Sequence, residues 1–184
     1  DDILNSAIMF PLEGYLYPET YFVVEQEPTI ESITRLCLDL MNERLTPYQD
    51  RITELGMTAH EFVSLASVVQ AESLFEEDYK TIAGVFYNRL EAGMPLQSDI
   101  TVLYALQEKR VDVTYADLEV DSAYNTYKYA GLPVGPVCTV QKSILDACAN
   151  YEKHDYYYFF ATKDQFEQKI QEQGFIEYAS YCDH

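Results

Sequence analysis

The sequence predicts a mostly helical α+β domain with a small β-sheet and long irregular loops. Three observations predict it. Apolar residues recur at three- and four-residue spacing in several separate stretches, the mark of amphipathic helices. The run YYYFFA, 156–161, reads as a buried strand. Between them lie segments broken by glycine and proline, which read as turns and loops rather than as further helix.

Taken in order, residues 8–24 are aromatic and β-branched but interrupted by Pro11, Gly14 and Pro18, giving short extended pieces and turns. From Thr29 to about Leu55 the pattern is helical, with Ile30, Ile33, Leu36, Cys37, Leu40 and Met41 on one stripe; Pro47 ends the first helix or starts the next. Thr58 and Glu61 form a capping box that opens a helix running to about Ser73. A helix from about Glu77 to Ala92 closes at Gly93, and Ser98 or Asp99 caps a short one to about Lys109. Residues 120–137, with Asn125, Gly131, Pro133, Gly135 and Pro136, form a long loop. A helix from about Val140 to Ala149, the strand, and a polar helix from about Asp164 to Gln173 complete the chain.

Charge and composition exclude several functions. The formal net charge is −19, so a nucleic acid partner is excluded for want of a basic surface. There is no run of eighteen apolar residues, and none of the four cysteines (37, 138, 148 and 182) stands in CxxC spacing, which disfavours a zinc ribbon or thioredoxin-type site. Cys37 reads as core. His60-Glu61 lacks a second histidine one turn on, so it is not a zincin helix, and no phosphate loop, GxSxG or dinucleotide fingerprint is present. The opening Asp1-Asp2-Ile3-Leu4 reads as the interior of a longer protein, with any anchor upstream, and residues 1–184 as one domain of it.

Chemistry is concentrated at one acid. On a helix, Leu65, Val68, Val69 and Glu72 share a stripe, and Gln70 points the other way. A carboxyl on a buried stripe is either a frayed end turned to solvent or a half-buried acid whose pKa is raised by desolvation, suited to protonating a leaving oxygen. Asn88 and Arg89 are polar in mid-helix, and Gln97, Ser98, Asp99 and Thr101 cluster after the Gly93 turn. Singly, a solvated Arg89 and capping Ser98 and Asp99 explain them; together they form a polar patch able to face Glu72. The loop carrying Asn125, Thr126, Tyr127, Gly131, Leu132 and Pro133 presents amide and aromatic groups of the kind that bind sugars, or is a structural Ω-loop. Glu13 and Glu19, among tyrosines, are candidate second carboxylates, though Glu19 reads better as a surface turn residue.

The segments LEGYLYPETY (12–21), ASVVQAES (66–73), VFYNRLEAGMPLQSDITVLYAL (85–106) and SAYNTYKYAGLPVGP (122–136) occur in the order seen in the YceG-like family of endolytic murein transglycosylases, which the chain resembles over about residues 10–162. The resemblance implies a catalytic domain of a bacterial protein held by a single helix at the outer face of the cytoplasmic membrane, with a LysM-like lobe upstream. It implies active-site loops around a catalytic glutamate at Glu72, peptidoglycan glycan strands as substrate, cell-wall synthases (penicillin-binding proteins) as partners, and no metal or cofactor. The reaction implied is non-hydrolytic cleavage between N-acetylmuramic acid and N-acetylglucosamine, leaving 1,6-anhydro ends, with Gln97, Asn125 or Glu13 stabilising the developing charge. A glycan hydrolase and a catalytically silent glycan-binding scaffold are the alternatives. A lyase of the aminodeoxychorismate type is discounted, since no aldimine lysine or phosphate cup is evident. The chain departs from the family pattern at Val134, where a second proline is usual, at Cys138-Thr139-Val140-Gln141, and over 163–184.

Overall fold

A computed structural model describes residues 4–24, 26–110 and 112–160. It consists of helices joined by turns and loops: α1 (Ile30–Leu45), α2 (Gln49–Glu54), α3 (Ala59–Glu72), α4 (Tyr79–Glu91), α5 (Asp99–Leu106) and α6 (Lys142–Ala149). One-turn 3₁₀ segments bridge α1 to α2, lead into α4, and lie at Asp117–Glu119. Among the described residues no strand is found, and a single parallel bridge joins Pro95 to Gly131.

α3 is the centre. Eight consecutive residues, Phe62 to Val69, are buried, so this helix is covered on all sides by α2, α4, α5 and α6. Its start is set as its sequence predicts: Thr58 accepts from the Glu61 N–H, and the Glu61 carboxylate accepts from the Thr58 N–H at 2.7 Å. Within it Ser67 Oγ donates to the Ser64 carbonyl and accepts from the Val137 N–H, so a buried hydroxyl satisfies the returning loop. Gln70, on the opposite face from Glu72, accepts from the Gln141 N–H at the start of α6. His60 ties the N-terminal segment to the loop, bonding Tyr15 Oη and the Val134 carbonyl oxygen. Gly14, with φ at +80°, lies so close to Pro136 that a Cβ there would stand 2.5 Å from the proline ring.

Several expectations are corrected. The stripe on α1 is buried only at Met41 and Leu45; Ile30, Ile33 and Leu36 are exposed and Cys37 is half-buried, because the helix leaves the core at its N-terminal half. Cys37, Cys138 and Cys148 are free thiols. Residues 156–160 are not a buried strand: their side chains are exposed, and they pair with no strand among the described residues. An apolar run becomes a strand only where a partner offers a ladder, and here helix side chains take that place. The segment runs along α4. Glu152 N–H donates to the Lys80 carbonyl, His154 Nε2 bonds the Thr81 carbonyl oxygen, and Asn88 Nδ2 donates to the carbonyls of His154 and Tyr156, both at 2.8 Å. Positions 80/81, 84 and 88 are one helical face. Gly84 makes the approach possible, since a Cβ there would meet the Glu152 carbonyl oxygen at 2.3 Å. The expected helix at 164–173, residue Ala161 of the expected strand, and Cys182 lie outside the described residues.

Gly84→Ala will move this segment or strain it. Alanine favours the helix by ~1 kcal/mol, but the overlap costs about 1–3 kcal/mol, so the urea midpoint falls. A rise in the midpoint would show that the segment does not depend on contact at Gly84.

Candidate active site

Glu72 is the last residue of α3, and Ser73 beyond it is already extended. The carboxyl is half-buried at one wall of a cleft of about 200 Å³, lined by Glu72, Phe86, Arg89, Leu96, Gln97, Ser98, Asp99, Tyr127, Tyr158 and Phe159. Its pKa is raised above the ordinary value for glutamic acid. Desolvation is the main cause, opposed by a hydrogen bond from Ser98 and reinforced by the nearby charge of Asp99. The negative end of the α3 dipole lies on the same side, which also disfavours ionisation.

Ser98 Oγ donates to Glu72 Oε1 at 2.5 Å. Ser98 is the N-cap of α5 in backbone geometry, yet it makes no capping bond, because its hydroxyl is spent on Glu72. Asp99 follows at the first helical position and accepts from Tyr127 Oη at 2.5 Å. Burial and the Asp99 carboxylate together push the Tyr127 phenol pKa well up, so it remains a donor. Gln97 holds a left-handed backbone, φ +52°, uncommon for a residue with a side chain and a place where strain of about 1–2 kcal/mol is stored.

A buried hydroxyl pair fixes this turn. Thr101 Oγ1 donates to the Ser98 carbonyl, Thr126 Oγ1 accepts from the Ser98 N–H, and the two hydroxyls are 2.8 Å apart. The Thr126 carbonyl accepts from the Gln97 N–H. Asn125 spends its amide on its own loop: Nδ2 donates to the carbonyls of Leu118 and Val120, and Oδ1 accepts from the N–H groups of Tyr127 and Lys128. Thr101, Asn125 and Thr126 are therefore buried supports and not cleft-facing groups.

Of the residues singled out in the sequence, Glu72, Arg89, Gln97, Ser98, Asp99 and Tyr127 meet in the cleft. Asn88 turns to the 154–156 backbone, and Glu13 lines a separate hollow with Phe10, Pro11, Leu12, Leu16 and Thr139. Gly131, Leu132 and Pro133 are not among the cleft-lining residues; Gly131 bridges Pro95 beneath the turn.

Arg89, which the sequence places in a polar patch able to face Glu72, does line the cleft. Arg89 is not solvated: it is 6% exposed, and its guanidinium donates to the carbonyls of Tyr157, Pro95 and Leu96. The only signal in the sequence was its place in mid-helix beside Asn88. Sequence reasoning missed Tyr158 and Phe159, which lie at the cleft because the 152–160 segment follows α4, and no periodicity announces that. Among the described residues no cluster of three or more histidine, cysteine, aspartate or glutamate side chains suited to a metal is found.

The comparisons with known proteins bear on this site. Residues 2–174 match the profile of the YceG-like family. The chain belongs to the YceG-like family. It is 39% identical over 161 residues to the endolytic murein transglycosylase of Bacillus subtilis (strain 168), covering 88% of this chain and 45% of that protein. It is 40% identical over 164 residues to the protein of that name from Streptococcus pneumoniae serotype 2 (strain D39 / NCTC 7466), covering 86% of this chain and 30% of that one. The crystal structure of a YceG-like protein of Listeria monocytogenes superposes with a TM-score of 0.83 at 45% identity, covering 88% of this chain and 53% of that one. The chain thus spans about half the length, or less, of the relatives it matches.

A raised Glu72 pKa has a consequence for stability. Between the unfolded value, near 4.5, and the higher folded value, the native state holds a proton that the unfolded state has lost. Glu72 therefore favours folding least at pH above its folded pKa. Glu72→Gln is expected to be more stable than the parent at neutral pH, with the difference vanishing below pH 4.5, as read from urea midpoints across pH.

Proposed function

We propose that the chain is the catalytic domain of an endolytic peptidoglycan lytic transglycosylase, with Glu72 as its acid and base. The observation that carries this is a desolvated carboxyl, held by Ser98, in a cleft that also presents hydroxyl, amide and aromatic groups. The names of the relatives supply the substrate class, murein.

In this reading protonated Glu72 gives its proton to the oxygen joining N-acetylmuramic acid to the next N-acetylglucosamine. The bond from that oxygen to C1 breaks and positive charge develops on the muramoyl ring. The carboxylate then takes the proton of the same sugar's C6 hydroxyl, O6 bonds to C1, and a 1,6-anhydro end results without consumption of water. One carboxyl suffices because the nucleophile is part of the substrate, at high effective concentration. The Asp99 carboxylate and the Gln97 amide, both at the cleft, are the groups able to face the developing charge. Asn125 and Glu13 are withdrawn from that role, since the first is spent on its own loop and the second lies in another hollow. The working setting in this reading is the outer face of the cytoplasmic membrane, beside the synthases that produce nascent strands. Among the described residues no helix is long and apolar enough to cross a membrane, so the reading assigns anchoring to other parts of the protein.

Mass spectrometry of purified peptidoglycan after digestion tests the reaction. Anhydro-muramoyl ends are expected from the parent, and Glu72→Gln should lower their rate of appearance by about 10²–10⁴-fold or more. New reducing ends would mean hydrolysis, and absence of any new ends would leave a binding domain.

The pH profile tests the environment of Glu72. Activity requires its protonated form and falls as pH rises through its pKa. Ser98→Ala removes the bond that stabilises the carboxylate, so the alkaline limb moves to higher pH, whereas Asp99→Asn removes a like charge and moves it lower. Unmoved limbs in both would exclude Glu72 as the titrating acid.

A further inference from the structure

An exposed aromatic segment borders the cleft, and nothing in the proposed chemistry uses it. Residues 156–160 are five aromatics in succession, with Tyr158 72% and Phe160 85% exposed. A contiguous exposed apolar run costs hydration and signals contact with something else. Its backbone is nevertheless held in place by side chains of α4. Asn88 clasps the carbonyls of His154 and Tyr156, Arg89 Nε donates to that of Tyr157 at 2.7 Å, and Gly84 gives the segment room against α4.

The side chains are fixed as well. The Arg89 guanidinium lies 4.8 Å from the centre of the Tyr158 ring, covering one face. Phe159 meets Phe86 edge-on at 5.7 Å, and Tyr156 stacks on His154 at 4.6 Å. Tyr158 and Phe159 both line the cleft that holds Glu72. The result is a flat ring, backed by a buried cation and open on its other side, at the edge of a site read as glycan-cleaving.

Resting on that reading of the cleft, we propose that the 156–160 segment is a sugar-stacking platform, in which Tyr158 receives the apolar face of a β-linked N-acetylated amino-sugar ring. A pyranose ring offers a face of C–H groups to an aromatic ring, while its hydroxyl and acetamido groups point outward to polar walls such as Gln97 and Tyr127. Because Arg89 and the clasped backbone already hold the ring, little conformational entropy is lost when the sugar lands. Arg89 is a positioning residue here, acting through the Tyr158 ring that it backs.

Binding tests this apart from cleavage. In the Glu72→Gln protein, soluble uncrosslinked peptidoglycan strands and an oligosaccharide of β-1,4-linked N-acetylglucosamine are titrated by calorimetry. Tyr158→Ala in that background is expected to weaken strand binding about tenfold or more, Tyr158→Phe and Tyr158→Trp to retain it, and Phe22→Ala, another exposed aromatic that does not line the cleft, to leave it unchanged. In the Glu72 protein, Tyr158→Ala raises KM for strands by a like factor with kcat within about threefold, the pattern of lost uniform binding. Equal strand affinity of Tyr158→Ala and its parent, or no binding of either glycan by the parent, overturns the platform. Failure of the native domain to make anhydro ends, with strand binding still dependent on Tyr158, overturns the lyase reading and leaves the platform standing.

Discussion

The structure depends on the burial of α3. A helix with eight consecutive buried residues has no solvent face, so every neighbouring element must supply a surface for it. That constraint sets where α4, α5 and α6 lie, and it places the end of α3 at the boundary between core and cleft. Glu72 is the first acid after the buried run. It can neither retreat into the core nor reach open water freely, and a raised pKa follows from that position.

The second layer is a division of labour among polar groups. Thr101, Thr126 and Asn125 are buried and saturated with hydrogen bonds, so they give rigidity and no chemistry. Ser98, Asp99, Gln97 and Tyr127 are carried on that support and turned toward the cleft. The strained backbone of Gln97 and the missing capping bond of Ser98 are both departures from local preference, concentrated where the carboxyl is held. Such departures persist when the surroundings over-determine them.

The opposite wall is built by different means. Helix α4 gives up two residues that would ordinarily be solvated, Asn88 and Arg89, to capture the backbone of a passing segment, and a glycine to let it come close. Among the described residues these contacts stand where the aromatic composition suggests strand pairing. They leave the side chains of 156–160 exposed rather than sandwiched between layers, and so available beside the cleft.

The sequence by itself determined the helices, their capping at Thr58, the end of α4 before Gly93, and the singling out of Glu72. These rest on short-range rules: apolar spacing, cap chemistry and the positive φ of a glycine. Local pattern also brought Ser98 and Asp99 to notice, though as caps. Only the tertiary structure decided that the Ser98 hydroxyl serves Glu72, that Asn125 and Asn88 serve backbone carbonyls, and that Glu13 stands in another hollow. It also decided the fate of 156–160, because a strand is a property of a pair, and whether a partner exists is settled by what packs nearby. Residues that contact each other 26 or 68 positions apart leave no periodic trace, so their meeting is fixed by packing alone.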